Sequence, residues 1–196
     1  KKGGTYKNSQ LGATALNAAH PAYRGSYLDL IKSHWTDWFR LVESVRSGLP
    51  IEHNVPDSPD WRRRFTWAMH HRTLERAPAI AAQLKLDGAR MLLDLGGGPG
   101  TYALAFLAKN PRLRATVCDR AAALDVAKEI ASTHRAGRRL SYLPLDFTQE
   151  SIPGAYDVIW YSNVLHIYSP EVNQAVFRRA LAALAVTIMG WGCTGA

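Results

Sequence analysis

The run Met91-Leu92-Leu93-Asp94-Leu95-Gly96-Gly97-Gly98-Pro99-Gly100-Thr101 constrains this chain more than any other stretch. Apolar residues and one acid lead into a glycine-rich turn, and the amphipathic segment 102–109 follows at once. That order reads as strand, tight turn, helix. Glycines let the backbone approach a ligand closely, with turn amides and the helix N-terminus facing it. The spacing narrows the ligand. Gly96, Gly98 and Gly100 form G-x-G-x-G, whereas a dinucleotide fingerprint calls for glycine or alanine at position 101, which is Thr101. A P-loop is excluded because no Gly-Lys-Ser/Thr follows.

Three later segments have the same strand-then-polar-tip form. Leu113 to Cys118 reads as a short buried strand ending in Asp119, about 23 residues past Gly96. An acid there accepts hydrogen bonds from ribose hydroxyls; the plainer reading is a solvated loop aspartate. The segment 140–147 ends in Asp146-Phe147. A carboxylate beside an apolar ring suits adenine, and a capping aspartate beside a core phenylalanine explains the pair equally. A fourth strand, 156–161, runs into Ser162-Asn163-Val164-Leu165-His166. Ser169-Pro170-Glu171 then supplies an N-cap, a proline at the first helical position and a first-turn acid, predicting a helix to about Ala185.

An acid two residues ahead of G-x-G-x-G is what S-adenosyl-L-methionine (SAM) methyltransferases carry. From about residue 23 to 185 the chain resembles the caffeate/hydroxyindole-type SAM-dependent O-methyltransferases and their bacterial small-molecule relatives. The resemblance rests on Phe65-Thr66-Trp67-Ala68-Met69, Leu93 to Gly100, Val117-Cys118-Asp119-Arg120, Asp146-Phe147 and Asn163-Val164-Leu165-His166, in order and at matching spacing. It implies an α/β fold with a Rossmann-like sheet, here incomplete at about four to five strands, after an N-terminal helical dimerisation region. The implied division is 1–84, opening on the remnant of a winged-helix segment, and 85–196, a partial SAM-binding catalytic domain. The resemblance implies SAM as cofactor, bound by Gly96, Gly98, Gly100, Asp119, Arg120, Asp146, Phe147 and Ser162. It implies His166 as the base that takes the acceptor's proton, and Phe65 and Met69 as contacts of the acceptor and the methyl donor. The implied activity is methylation of a hydroxyl on a small aromatic or polyketide-like molecule by a homodimer.

Two departures bear on this. The family's His-Asp-Trp is His166-Ile167-Tyr168 here, and a structural histidine at a strand end is the competing reading. After Ala185 the family's Pro-Gly-Gly turn is missing, and only 186–189 has the pattern of a fifth strand. The expectation is a chain shortened at both ends, without the acids that orient the histidine. A SAM-binding, dimerising scaffold without catalysis is therefore the alternative function.

Ahead of the glycine turn, Leu28, Ile31, Trp35, Trp38, Val42 and Val45 recur at helical spacing, closed by Gly48 as a C-terminal cap. One helix packed on its own domain and one dimer face both fit this stripe. A loop, 49–57, precedes a helix beginning at Ser58-Pro59-Asp60, with Phe65 and Met69 at i, i+4. Such a pair is core or pocket lining. Pro78 is expected to break this region before a second helix to Leu86.

Composition excludes several classes. The 196 residues are 47% hydrophobic, enough for a core, and no apolar run reaches membrane-spanning length. Two cysteines are too few for a disulfide framework, which favours reduced thiols and a cytoplasmic address. The net charge of +8 raises the question of nucleic acid, including an RNA methyltransferase. The basic residues are scattered, and the cluster Arg62-Arg63-Arg64 spreads around a helix axis, so a solvated face is the expectation and no nucleic-acid partner. Seven histidines include no H-x-x-x-H pair or Cys/His cluster, so no metal is expected.

Overall fold

The computed structural model describes residues 4, 6–20, 22–49, 51 and 58–185. The chain forms two compact units, 1–72 and 73–196.

The regular elements described in the first unit are all helices: α1 (Gln10–Ala15), α2 (Gly25–Ser33), α3 (Trp35–Phe39), α4 (Leu41–Ser47) and α5 (Pro59–Thr73), the last residue of which belongs to the second unit. The apolar stripe expected on one helix is cut into three. At His34 and Arg40 the backbone swings to ψ 0 and 7, and both N–H groups shorten to i→i−3 bonds, to Ile31 and Asp37 carbonyls at 3.1 and 3.0 Å. Ser33 Oγ donates to the Leu30 carbonyl at 2.6 Å, the local competition by which serine ends helices. Gly48 closes α4 in the left-handed conformation, φ 68, as its position predicts. Ser9 caps α1, accepting the Gly12 N–H at 3.1 Å; no periodicity reveals so short a helix. On the other side of the unit, Ser26 Oγ and His71 Nδ1 lie 2.5 Å apart and tie α2 to α5. The expected loop 49–57 falls largely outside the described residues.

The second unit begins with α6 (Arg76–Gln83), then alternates β1 (Met91–Leu95), α7 (Thr101–Lys109), β2 (Arg114–Asp119), α8 (Ala121–Thr133), β3 (Leu140–Pro144), β4 (Val158–Trp160) and α9 (Pro170–Ala182). The break before α6 is at residues 74–75 rather than at Pro78. Proline is tolerated there because it occupies the first turn, where its missing N–H has no intrahelical partner. Lys109, at the end of α7, donates to the Ala81, Ala82 and Leu84 carbonyls at 2.9, 2.9 and 3.1 Å, satisfying the last turn of α6. That packing makes α6 part of the sheet unit.

All four strands are parallel, in the order β3-β2-β1-β4. β1 is buried on both faces, as a central parallel strand must be. Leu93 and Leu95 point into a cluster with Cys118, Val164, Val176 and Ala180 of α9, and Ala183, which caps that helix. Trp160 turns the other way, its ring 5.1 Å from Phe106 of α7. Asp157 anchors β4: its Oδ2 accepts the Arg90 and Met91 N–H groups at 2.7 and 2.9 Å. Beyond β4, Tyr156 forms a parallel bridge with Leu184, its N–H donating to Ala183 and its carbonyl accepting from Ala185, both at 2.9 Å. The segment 186–189, expected as a fifth strand, lies outside the described residues.

Candidate functional site at the C-terminal ends of the strands

Because the strands are parallel, β1 to β4 all end on one side of the sheet, and the chain leaves β1 toward β2 and β3 before crossing back to β4. Ligands of such sheets bind in the crevice at this reversal. Gly96, Gly98 and Gly100 follow β1, Asp119 and Arg120 close β2, Asp146 and Phe147 follow β3, and Ser162 and His166 follow β4.

The glycines have different jobs. Gly96, Gly98 and Gly100 all have left-handed backbone, φ 68, 49 and 67. A Cβ on Gly96 would meet Val164 Cγ2 at 2.8 Å and Phe147 Cζ at 3.4 Å, so this glycine admits side chains from the β3 and β4 ends. A Cβ on Gly98 would meet only Asp119 Oδ2, at 3.9 Å, which leaves this face of the turn open. The amides are committed within the protein. Those of Gly96 and Gly97 donate to the Cys118 carbonyl at 2.8 and 3.3 Å, and that of Gly100 donates to the Gly97 carbonyl at 2.9 Å. The turn offers close approach through missing side chains.

Asp119 Oδ2 accepts the Gly98 N–H at 2.8 Å and Oδ1 accepts the Arg120 N–H at 2.7 Å. The β2 acid is thereby fixed beside the open face of the turn. The sequence reading passed over two neighbours. Asp94 is 2% exposed, and its carboxylate accepts the Ala103 N–H in the first turn of α7, which has no side-chain cap of its own. Burial, with a smaller contribution from Asp119, pushes the Asp94 carboxyl up to about 7. Gly97 is required for this arrangement, since its Cβ would lie 2.5 Å from Asp94 Cγ. The legible signal was the acid two residues ahead of the first glycine. Asp94 Oδ2 is buried without a hydrogen-bond partner.

At the end of β3, Asp146 Oδ1 accepts the Thr148 hydroxyl at 2.5 Å and the Thr148 N–H at 3.0 Å, and these bonds, the hydroxyl's first, hold the exposed carboxyl below its ordinary range. Phe147 is buried, with edge contacts to Tyr161 and Tyr168, each at 6.2 Å between ring centres. The geometry therefore has the capping aspartate and core ring of the plainer reading, with the Phe147 rim reaching Gly96. His166 lies exposed in a 3₁₀ turn, Leu165–Ile167, after Asn163, whose φ of 59 turns the chain out of β4. Phe65 and Met69 lie one turn apart on α5 in the first unit, with Phe65 stacked on Trp61 at 5.1 Å. Among the described residues no three His, Cys, Asp or Glu side chains gather to hold a metal.

The O-methyltransferase domain model matches residues 39–187. The chain belongs to the O-methyltransferase family. A similar curated relative is the 3-hydroxy-5-methyl-1-naphthoate 3-O-methyltransferase of Streptomyces sahachiroi, 29% identical over 94% of this chain and 55% of its own length. Among solved structures, an O-methyltransferase family protein from Burkholderia thailandensis superposes with a TM-score of 0.79 at 25% identity, over 94% of this chain and 57% of that one. Human N-acetylserotonin methyltransferase in complex with SAM shares the fold, with a TM-score of 0.78 at 21% identity over 91% of this chain and 55% of its own. This O-methyltransferase chain thus spans about half the length of the relatives it matches. The Rossmann-like sheet and the four motif-bearing strand ends are those the resemblance implied.

Proposed function

We propose that the sheet unit binds SAM and serves methyl transfer to a hydroxyl of a small aromatic or polyketide-like molecule. The observation that carries this is the pairing of Asp119 with the Gly98 N–H beside the one open glycine face of the turn, within a chain of the O-methyltransferase family. The groups present suit the cofactor. Gly98 leaves room for it, and Asp119 accepts from ribose hydroxyls. Phe147 offers an apolar rim next to Gly96. Arg120 and Ser162, at the ends of β2 and β4, complete the set.

SAM, when bound, supplies a methyl group already activated on a sulfonium. What remains for the protein is to hold the acceptor oxygen in line and take its proton, and placement alone is worth about 7–11 kcal/mol. His166 takes the proton, as histidine suits near neutral pH. The contacts of Phe65 and Met69 with the acceptor rest on the resemblance.

The reading includes a homodimer. Trp35 and Trp38 of α3 are 60% and 67% exposed in the single chain, and Val42 and Val45 of α4 are exposed as well, more apolar surface than a solvated helical region needs. It also includes a cytoplasmic address, in keeping with the buried, unpaired Cys118 thiol; among the described residues no helix is long and apolar enough to cross a membrane.

Titration calorimetry with SAM and S-adenosylhomocysteine, followed by single-turnover assay against a panel of phenols and naphthols, tests the proposal. Absence of binding to either nucleoside overturns it. Binding without methyl transfer to any acceptor favours the scaffold alternative.

A further inference from the structure

The apolar stripe of α9 runs Asn173, Val176, Ala180, Ala183, the three apolar members lying in the core cluster against the sheet. Asn173 is the one polar residue on it, 7% exposed. A buried amide on a core-facing position costs free energy unless every group is bonded, and here each is. Asn173 Oδ1 accepts the Tyr161 hydroxyl at 3.0 Å. Nδ2 faces three carbonyl oxygens, of Leu165 at 2.9, Tyr168 at 3.0 and Ser169 at 3.1 Å.

These partners are not scattered. Leu165 opens the 3₁₀ turn that carries His166, Tyr168 closes it, and Ser169 caps α9. The turn's own backbone contributes the Ile167 N–H to the Val164 carbonyl at 2.9 Å. One side-chain amide therefore grips both ends of the turn on which the imidazole sits. The three carbonyls fix which way round the amide lies: they accept only, so the Asn173 nitrogen faces the turn, its oxygen faces Tyr161, and the Tyr161 hydroxyl donates to it. Burial against α9 and β3-end rings pushes the Tyr161 hydroxyl up to about 12, so it keeps its proton at neutral pH.

We propose that Asn173, held from its other side by the Tyr161 hydroxyl, is a positioning residue for His166: it holds both flanks of the histidine's turn and so sets where the imidazole stands at the end of β4. This deepens the methyl-transfer reading above and rests on it for its catalytic meaning. The departure at Ile167-Tyr168 leaves the turn without the family's polar residue after the histidine, and the Asn173 amide supplies rigidity from below.

The test labels histidine ring carbons in the 196-residue chain and follows the His166 Cε1–H relaxation and the amide exchange of residues 165–169. In the unmutated chain the ring relaxes with the body of the protein. Asn173→Ala frees the ring and raises exchange across the turn about tenfold, the scale of a lost buried hydrogen bond. S-adenosylhomocysteine affinity stays within about twofold, since none of the four partners of Asn173 is a glycine of the turn or a residue assigned to the cofactor. Asn173→Asp keeps the shape but places an acceptor against the carbonyls, and frees the ring as the alanine does. Tyr161→Phe, a milder change should the others fail to fold, gives an intermediate loosening. A His166 ring that remains ordered in folded Asn173→Asp or in Tyr161→Phe overturns the proposal, as does a ring already mobile in the unmutated chain. The base assignment fails separately, by unchanged turnover in His166→Ala, and the ring relaxation still reports the clamp.

Discussion

Asp119 Oδ2 accepts the Gly98 N–H at 2.8 Å, so the acid that ends β2 is tied to the turn that ends β1. A carboxylate held this way faces the open side of the turn without needing a ligand to order it, which reduces the ordering cost of binding. Asp119→Ala should weaken SAM binding by about 1–3 kcal/mol, the range for hydrogen bonds to a charged group. Calorimetry settles it, and equal affinity in the two proteins would remove Asp119 from the site.

Gly97 needs its missing side chain for a reason internal to the fold. A methyl group there would press on the Asp94 carboxyl, 2.5 Å from Cγ, and dislodge the cap of α7. Gly97→Ala should cost about 1–3 kcal/mol, the range for overpacking a tight site. At about 2–4 °C per kcal/mol for a chain of this size, the thermal midpoint falls measurably. A midpoint equal to the unmutated protein's would mean that Asp94 relocates freely.

Asp157 holds the start of β4 against the start of β1 through two backbone N–H groups, and those bonds hold its carboxyl below the ordinary range. A carboxylate with a depressed folded value contributes stability that is complete above its unfolded value near 4 and is lost as pH falls through the lower folded value. Asp157→Ala should therefore lower the midpoint near neutrality and lessen acid sensitivity, the deficit narrowing as the pH is brought below about 4. Urea unfolding across that range measures it. A deficit independent of pH would place the effect in packing.

The Trp35/Trp38 face gives a sharp association experiment. Replacing both with glutamate puts like charges on an exposed apolar surface, so a dimer built on it dissociates while the helices stay folded. Light scattering with circular dichroism reads both quantities. A monomeric unmutated chain at high concentration removes the dimer reading, and unfolding of the variant points to a core role.

The sequence revealed the architecture well where glycine and strand-end acids punctuate apolar runs. β1 and β2 lie within a residue of their expected bounds, because β1 and β2 sit inside the sheet and leave a continuous apolar signature, whereas the edge strand β3 stops at Pro144, before the Asp146-Phe147 pair, and α9 stops at Ala182, short of Ala185. The helical region was less legible. The spacing from Leu28 to Val45 is right for a stripe, yet backbone turns at His34 and Arg40 come from local hydrogen bonding that periodicity does not encode. In the site, Gly98 and Asp119 follow from spacing. Asn173 was invisible because a lone asparagine on a helix declares nothing until its four partners are brought from β4, the turn and the cap.

Asp94 carries the strongest pH signature. Burial, joined by Asp119 and opposed by the Ala103 N–H, lifts its carboxyl to about 7 from an ordinary value of 3.8. Between those values the folded chain holds a proton that the unfolded chain has released. The native state then binds more protons, and the free energy of unfolding falls as pH rises. The contribution of Asp94 is complete below about pH 4 and gone above about pH 7. Asp94→Asn cannot ionise, keeps an oxygen for the Ala103 N–H and avoids the buried charge. Relative to the unmutated protein, its stability should gain progressively as pH rises from about 4 to 7 and level off above. Thermal midpoints of both proteins across that interval decide the matter. A difference that shrinks with rising pH would show that the ionised Asp94 is favoured by its surroundings, and the cap on α7 would then be the stronger influence.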